Sequence, residues 1–128
     1  LIIDSSAILA IFFREPGADE LLAAILDADF AGIGSPTAAE TGLVLTARLG
    51  KNAAGSLLRF FEETGIEIIA FSDLHWQRAI DAFSRFGKGR HPAALNFGDC
   101  MTYATAALAR QPLLCRGDDF RKTDLELV

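Results

Sequence analysis

The sequence predicts an α/β fold: a central, mostly parallel sheet of about four to five strands, flanked by helices on both faces. Three observations predict it. Short apolar runs alternate along the chain with longer segments of helical spacing. Those runs are continuously apolar, as strands covered on both faces are, rather than alternating apolar with polar. A chain of 128 residues, 51% hydrophobic and 23% charged, supports one domain with a real core, which excludes a disordered tail or a fibre.

Leu1-Ile2-Ile3 reads as a buried strand that stops at Asp4-Ser5-Ser6 and leads into a helix over Ala7 to Phe13. Pro16-Gly17 breaks the chain. Ala18 to Ala28 follows with Leu21, Leu22, Ile25 and Leu26 at helical spacing. Phe30 to Gly34 is a second short strand, after which Ser35-Pro36 opens a helix through Leu49 and Gly50 stops it. Asn52 to Thr64 is a helix, and the β-branched run Ile66 to Ala70 is a strand. Asp73 to Phe86 is a helix capped by Ser72 or Asp73. After the loop Gly87 to Pro92, a helix of small residues spans roughly Asp99 to Ala109, and Pro112 to Cys115 is the last obvious strand.

The longest apolar run, Ala7 to Phe13, is far too short to cross a bilayer, and no charged-then-apolar leader precedes it, so no membrane partner is expected. Cys100 and Cys115 are far apart and are expected to be buried thiols in a reducing cytoplasm. A net charge of −5 argues against a coat-like nucleic-acid binder. It leaves open an enzyme that holds cations among carboxylates. The nucleotide-binding fingerprints fail: Gly32-Ile33-Gly34 has Thr37 where the third glycine belongs, and Gly87-Lys88 has no following Ser or Thr. No G-x-S-x-G elbow is present.

In a sheet of this kind, ligands bind outside the carboxyl ends of the strands, and the acids fall there. Asp4 follows the first strand, and two serines beside it could cap the next helix and leave it free. Glu40 lies beyond the first turn of its helix and shares a face with Leu43, Val44 and Ala47, where a carboxylate needs a partner. Asp99 opens the small-residue helix, and Asp118-Asp119 follow the last strand. Like charges in one cleft repel unless protonated or bound to a cation. An all-oxygen set with His75 and His91 both isolated suits Mg²⁺ or Mn²⁺ and does not suit zinc. Arg85, Lys88, Arg90 and His91 precede Asp99, and Arg116, Arg121 and Lys122 flank the acidic pair, so local attraction for phosphates is compatible with a negative total.

Ile3-Asp4-Ser5-Ser6-Ala7, Ala39-Glu40, Gly87 through Cys100, and Pro112 through Phe120 together resemble the PIN-domain ribonucleases, and more narrowly the VapC toxins of bacterial type II toxin–antitoxin pairs. The resemblance covers essentially the whole chain in order and spacing. It implies a PIN-like domain over residues 1–128, with catalytic and metal-holding acids at Asp4, Glu40 and Asp99. Asp118 and Asp119 compete for a fourth acidic position. Relatives with this ending keep the steadier acid directly before the Phe, which is Asp119. Ser6 matches a Ser/Thr near the metal, and Lys88, Arg90 and Arg116 are expected to contact RNA. The resemblance further implies a Mg²⁺-dependent endoribonuclease acting in the cytoplasm, with Mn²⁺ as a substitute ion. It also implies a homodimer, and a hetero-oligomer with a VapB-type antitoxin whose tail fills the groove.

The chemistry expected is in-line attack of water on phosphorus, leaving a 5′-phosphate and a 3′-hydroxyl. Two alternatives compete. A haloacid-dehalogenase-like phosphatase would use Asp4 and Gly117-Asp118-Asp119, but that family needs an Asp two residues after the first, where this chain has Ser6. A catalytically silent PIN-like binding module is disfavoured by acids at every position.

Overall fold

A computed structural model describes residues 1–128. Its elements run β1 (Ile2–Ile3), α1 (Ser5–Phe12), α2 (Ala18–Asp27), β2 (Gly32–Gly34), α3 (Ser35–Leu49), α4 (Ala53–Thr64), β3 (Glu67–Ile69), α5 (Asp73–Phe86), α6 (Phe97–Ala109) and β4 (Leu113–Leu114). The four strands form one sheet in the order β3-β2-β1-β4, and every pairing is parallel. The expected fold class holds.

Adjacent residues of a strand point to opposite faces, and β1 shows it directly. Ile3 joins a core with Ile8, Ile25, Ile33, Leu45, Leu57 and Phe61 under α1 to α4. Its neighbour Ile2 joins a second core with Ala82, Phe86, Leu95, Tyr103, Ala104 and Leu113 under α5 and α6. The small residues of α6 allow close approach to the sheet: a Cβ at Gly34 would meet the Thr105 hydroxyl at 2.6 Å. Gly50, at φ 90°, ends α3 as expected.

Three expectations are corrected. Helix α6 begins two residues before Asp99, because the Asn96 side chain caps it by accepting from the Asp99 N–H. The inward stripe of α3 is Thr37, Thr41 and Leu45, whereas Leu43 is 72% exposed. Glu40 therefore shares a half-exposed face and not the core face. The thiols also differ, since Cys100 is buried but Cys115 is only half-buried; both are unpaired. One feature was absent from the strand assignments. Leu127 bridges Leu113 in parallel, with Leu113 N–H donating to Glu126 and Val128 N–H to Leu113, so the last residues cover the β4 edge. No helix is long and apolar enough to cross a membrane.

Candidate active site

The strand order places β1 between β2 on one side and β4 on the other; the chain runs from β1 out through β2 to β3 and then crosses back to β4, so the strand order reverses beside β1 and the crevice of such a sheet falls at the carboxyl ends of β1 and β4. Asp4 leaves β1 into that crevice and Asp119 follows β4; the Asp4 N–H donates to the Leu114 carbonyl, which ties the two exits together. Helix α6 brings Asp99 to the same edge, and α3 brings Glu40.

Hydroxyl and backbone N–H groups hold Asp4, Glu40 and Asp99. Asp4 is 6% exposed. One of its oxygens caps α1 by accepting from the Ser6 N–H at 3.0 Å, and the other accepts from the Thr102 hydroxyl at 2.9 Å. The cap is thus made by Asp4 itself, and neither serine replaces it. With its proton committed to Asp4, Thr102 accepts from Thr37 at 3.0 Å. The Ser5 hydroxyl donates to Glu40 at 2.6 Å. Asp99 accepts from the Asn96 N–H at 3.0 Å, the return half of a capping box. Ser5, Thr37 and Thr102 were missed by the sequence reading. Thr102 lies three residues after Asp99 and so on its helix face, which was the available signal.

Burial pushes the Asp99 carboxyl up to about 6; the Asn96 N–H opposes this, while the charges of Asp119, Asp4 and Glu40 add to it. Those are the three other carboxylates expected at the site. Asp118 is not among them: it is paired with Arg121 at 2.8 Å and is largely exposed. The Cys115 thiol is raised to about 11, first by burial and then by Asp4 and Asp119, so it stays protonated and is a poor nucleophile.

No group of three or more His, Cys, Asp or Glu side chains lies close enough together to hold an ion as the carboxylates stand. Asp4, Glu40 and Asp99 are each engaged by a donor of their own. The donors are nonetheless hard oxygens of the kind Mg²⁺ takes. Gly98 adds a steric observation: a Cβ there would run into the Glu40 carboxylate, so glycine leaves Glu40 its present place. The residues fit a hard divalent cation in the kind of donor they supply, and an ion would have to draw the carboxylates together.

The expected phosphate-binding residues separate. Arg116 lies at the site, its backbone N–H donating to the Ser6 hydroxyl at 2.9 Å. Arg90 instead covers the Phe83 ring, beside an apolar groove lined by Trp76, Ile80, Phe83, Phe97 and Met101. Neither Lys88 nor Arg90 is ion-paired, whereas Arg85 is taken by Asp124, Arg116 by Glu15 and Arg121 by Asp118. His75 completes a capping box with Ser72 and His91 accepts from the Ala93 N–H, both local roles.

The PIN domain profile matches residues 1–126. The chain belongs to the PIN-domain family. Within it, the chain is 48% identical to ribonuclease VapC36 of Mycobacterium tuberculosis over 98% of this chain and 91% of that one. It is 36% identical to a ribonuclease VapC of Mycolicibacterium smegmatis over 100% of this chain and 99% of that one. Among solved structures, Mycobacterium tuberculosis VapC20, described as a sarcin-ricin loop cleaving toxin, aligns with a TM-score of 0.80 at 17% identity, covering 99% of this chain and 97% of that one. VapBC2 of Rickettsia felis, solved on a DNA fragment from its promoter, aligns at 0.77 and 17% identity over 99% and 96%. These structures share the PIN fold with this chain, and its sequence relatives are VapC ribonucleases.

Proposed function

We propose that this VapC-type PIN domain is a Mg²⁺-dependent endoribonuclease toxin, neutralised by a VapB-type antitoxin. The observation that carries the reading is that the fold gathers Asp4, Glu40, Asp99 and Asp119 about the carboxyl ends of β1 and β4, near enough for the charges of the other three to bear on the half-buried Asp99. Asp4 and Asp99 would hold the ion, with Glu40 and Asp119 completing the set. When bound, Mg²⁺ supplies Lewis acidity, lowering the pKa of a water and offsetting charge on the phosphate oxygens; Mn²⁺ can replace it. Thr102 and Ser6 fix the two Asp4 oxygens, so that carboxylate is oriented before any substrate arrives. Ser5 does the same for Glu40. Arg116, whose backbone N–H is fixed by Ser6, offers a cation for an RNA phosphate, and unpaired cysteines agree with a cytoplasmic setting.

For the antitoxin, the chemistry points to an arginine placed among the four acids, where charge-assisted hydrogen bonds compete for the same oxygens. Inhibition should then be relieved partly by excess Mg²⁺ and strongly by Arg→Ala in the partner. Silence of both complexes across a Mg²⁺ series would replace the arginine with simple steric cover.

The deciding experiment incubates partner-free protein with RNA and, separately, with a phosphomonoester, in Mg²⁺ and in EDTA. RNA cleavage in Mg²⁺ alone is expected, with the monoester untouched. Monoester hydrolysis without RNA cleavage would favour the phosphatase, and RNA binding without turnover the silent module.

A further inference from the structure

An open cleft of roughly 670 Å³ lies beside the carboxylates, on the side of the crevice where the chain leaves β4. Ser6, Glu15, Pro16, Arg116, Asp118 and Arg121 line it. Arg116 reaches across this cleft from the β4 exit to the turn between α1 and α2. There its Nε meets Glu15 at 3.2 Å, and one terminal nitrogen donates to the Pro16 carbonyl. Its backbone is fixed on the other side by Ser6, two residues from Asp4.

Both partners of the ion pair are partly open to water, with side chains 37% and 45% exposed. Neither is committed to the core, so the pair can part at modest cost. Glu15 also presents to Arg116 what a phosphodiester would present: two oxygens sharing one negative charge, the shape a guanidinium fork accepts side-on.

We propose that the cleft between the α1–α2 turn and the β4 exit is a subsite for a backbone phosphate of RNA flanking the scissile bond, with Arg116 as its ligand and Glu15 as an internal stand-in that the phosphate displaces. The proposal rests on the ribonuclease function above. It adds Glu15 as a residue that sets RNA affinity without touching the reacting atoms.

The test is a double-mutant cycle on binding, read by fluorescence anisotropy with a labelled, mixed-sequence single-stranded RNA in EDTA, so that no turnover is required. Glu15→Gln should tighten binding by roughly two- to fivefold, the worth of one partly exposed ion pair. It should also steepen the dependence of log K on log salt, because no freed carboxylate is left to take up a cation when the phosphate binds Arg116. In an Arg116→Gln background, both effects should vanish. Equal tightening in both backgrounds would reduce Glu15 to general repulsion, and weaker binding by Glu15→Gln would make it a strut that positions Arg116. Either result overturns the subsite while leaving RNA cleavage in place. If no variant binds RNA and the parent does not cleave it, the ribonuclease function fails as well.

Discussion

Asp99 serves α6 as half of a capping box, yet its charge is disfavoured where it sits, and that conflict can be measured. Its folded pKa of about 6 lies above the ordinary 3.8. Between those values the folded chain holds a proton that the unfolded chain has released. Stability from this group therefore falls as pH rises through that window, and the penalty is complete above pH 6. Asp99→Asn keeps an acceptor for the Asn96 N–H and removes the charge. In metal-free protein it should raise Tm at pH 7 by a few degrees and lose that advantage near pH 4, as read by thermal unfolding at both values. The same variant should abolish Mg²⁺-supported RNA cleavage; near-parental cleavage would take Asp99 out of the site. Thr102→Val acts on Asp4 instead. It strips a buried carboxylate of a donor, so a loss of about 1–3 kcal/mol in denaturant unfolding is expected, together with reduced cleavage.

At the scale of elements, the site depends on how closely α3 and α6 approach. Gly98→Ala is tolerated by the α6 backbone, but its methyl must push the Glu40 carboxylate aside. Cleavage should fall at least tenfold while unfolding changes by less than about 1 kcal/mol, since a long side chain yields cheaply. An equal loss in stability and activity would mean that the α3–α6 contact itself had opened. The same helices show what the sequence made legible. Asp4 and Asp119 were readable because each follows an apolar run that could only be a buried strand. Glu40 was identified through a face that turned out to be half-exposed, because the true inward stripe of α3 uses Thr37 and Thr41, which a hydrophobic pattern does not count. The hydroxyls of Ser5, Thr37 and Thr102 orient the acids but carry no periodic signal. Asn96 capped α6 ahead of the first acid the eye finds. The choice between Asp118 and Asp119 lay beyond sequence spacing; the Asp118–Arg121 pair separates them in space.

Across the whole molecule, one face is left without cover. Leu74, Trp76, Ile80 and Phe83 of α5 are exposed, and Phe97, beside the acids, is 80% exposed. Isolated apolar side chains at a surface are ordinary, but a contiguous groove of them is a contact site. We propose that a second copy presenting the same groove covers it, the homodimer that the resemblance to VapC toxins implies. Ile80→Asp should convert the partner-free protein from dimer to monomer in light scattering, without loss of secondary structure by circular dichroism. A dimer that survives the substitution would move the contact elsewhere. The pairing of β1 with β4 has a different consequence. Asp4 emerges early from a ribosome, whereas β4 and Asp119 emerge only after α6 has been made. Until then the edge of β1 that receives β4 is bare and Asp4 lacks the neighbours that define the crevice. On the proposed function, a nascent chain gains its full set of carboxylates only once β4 has docked, a delay written into the topology.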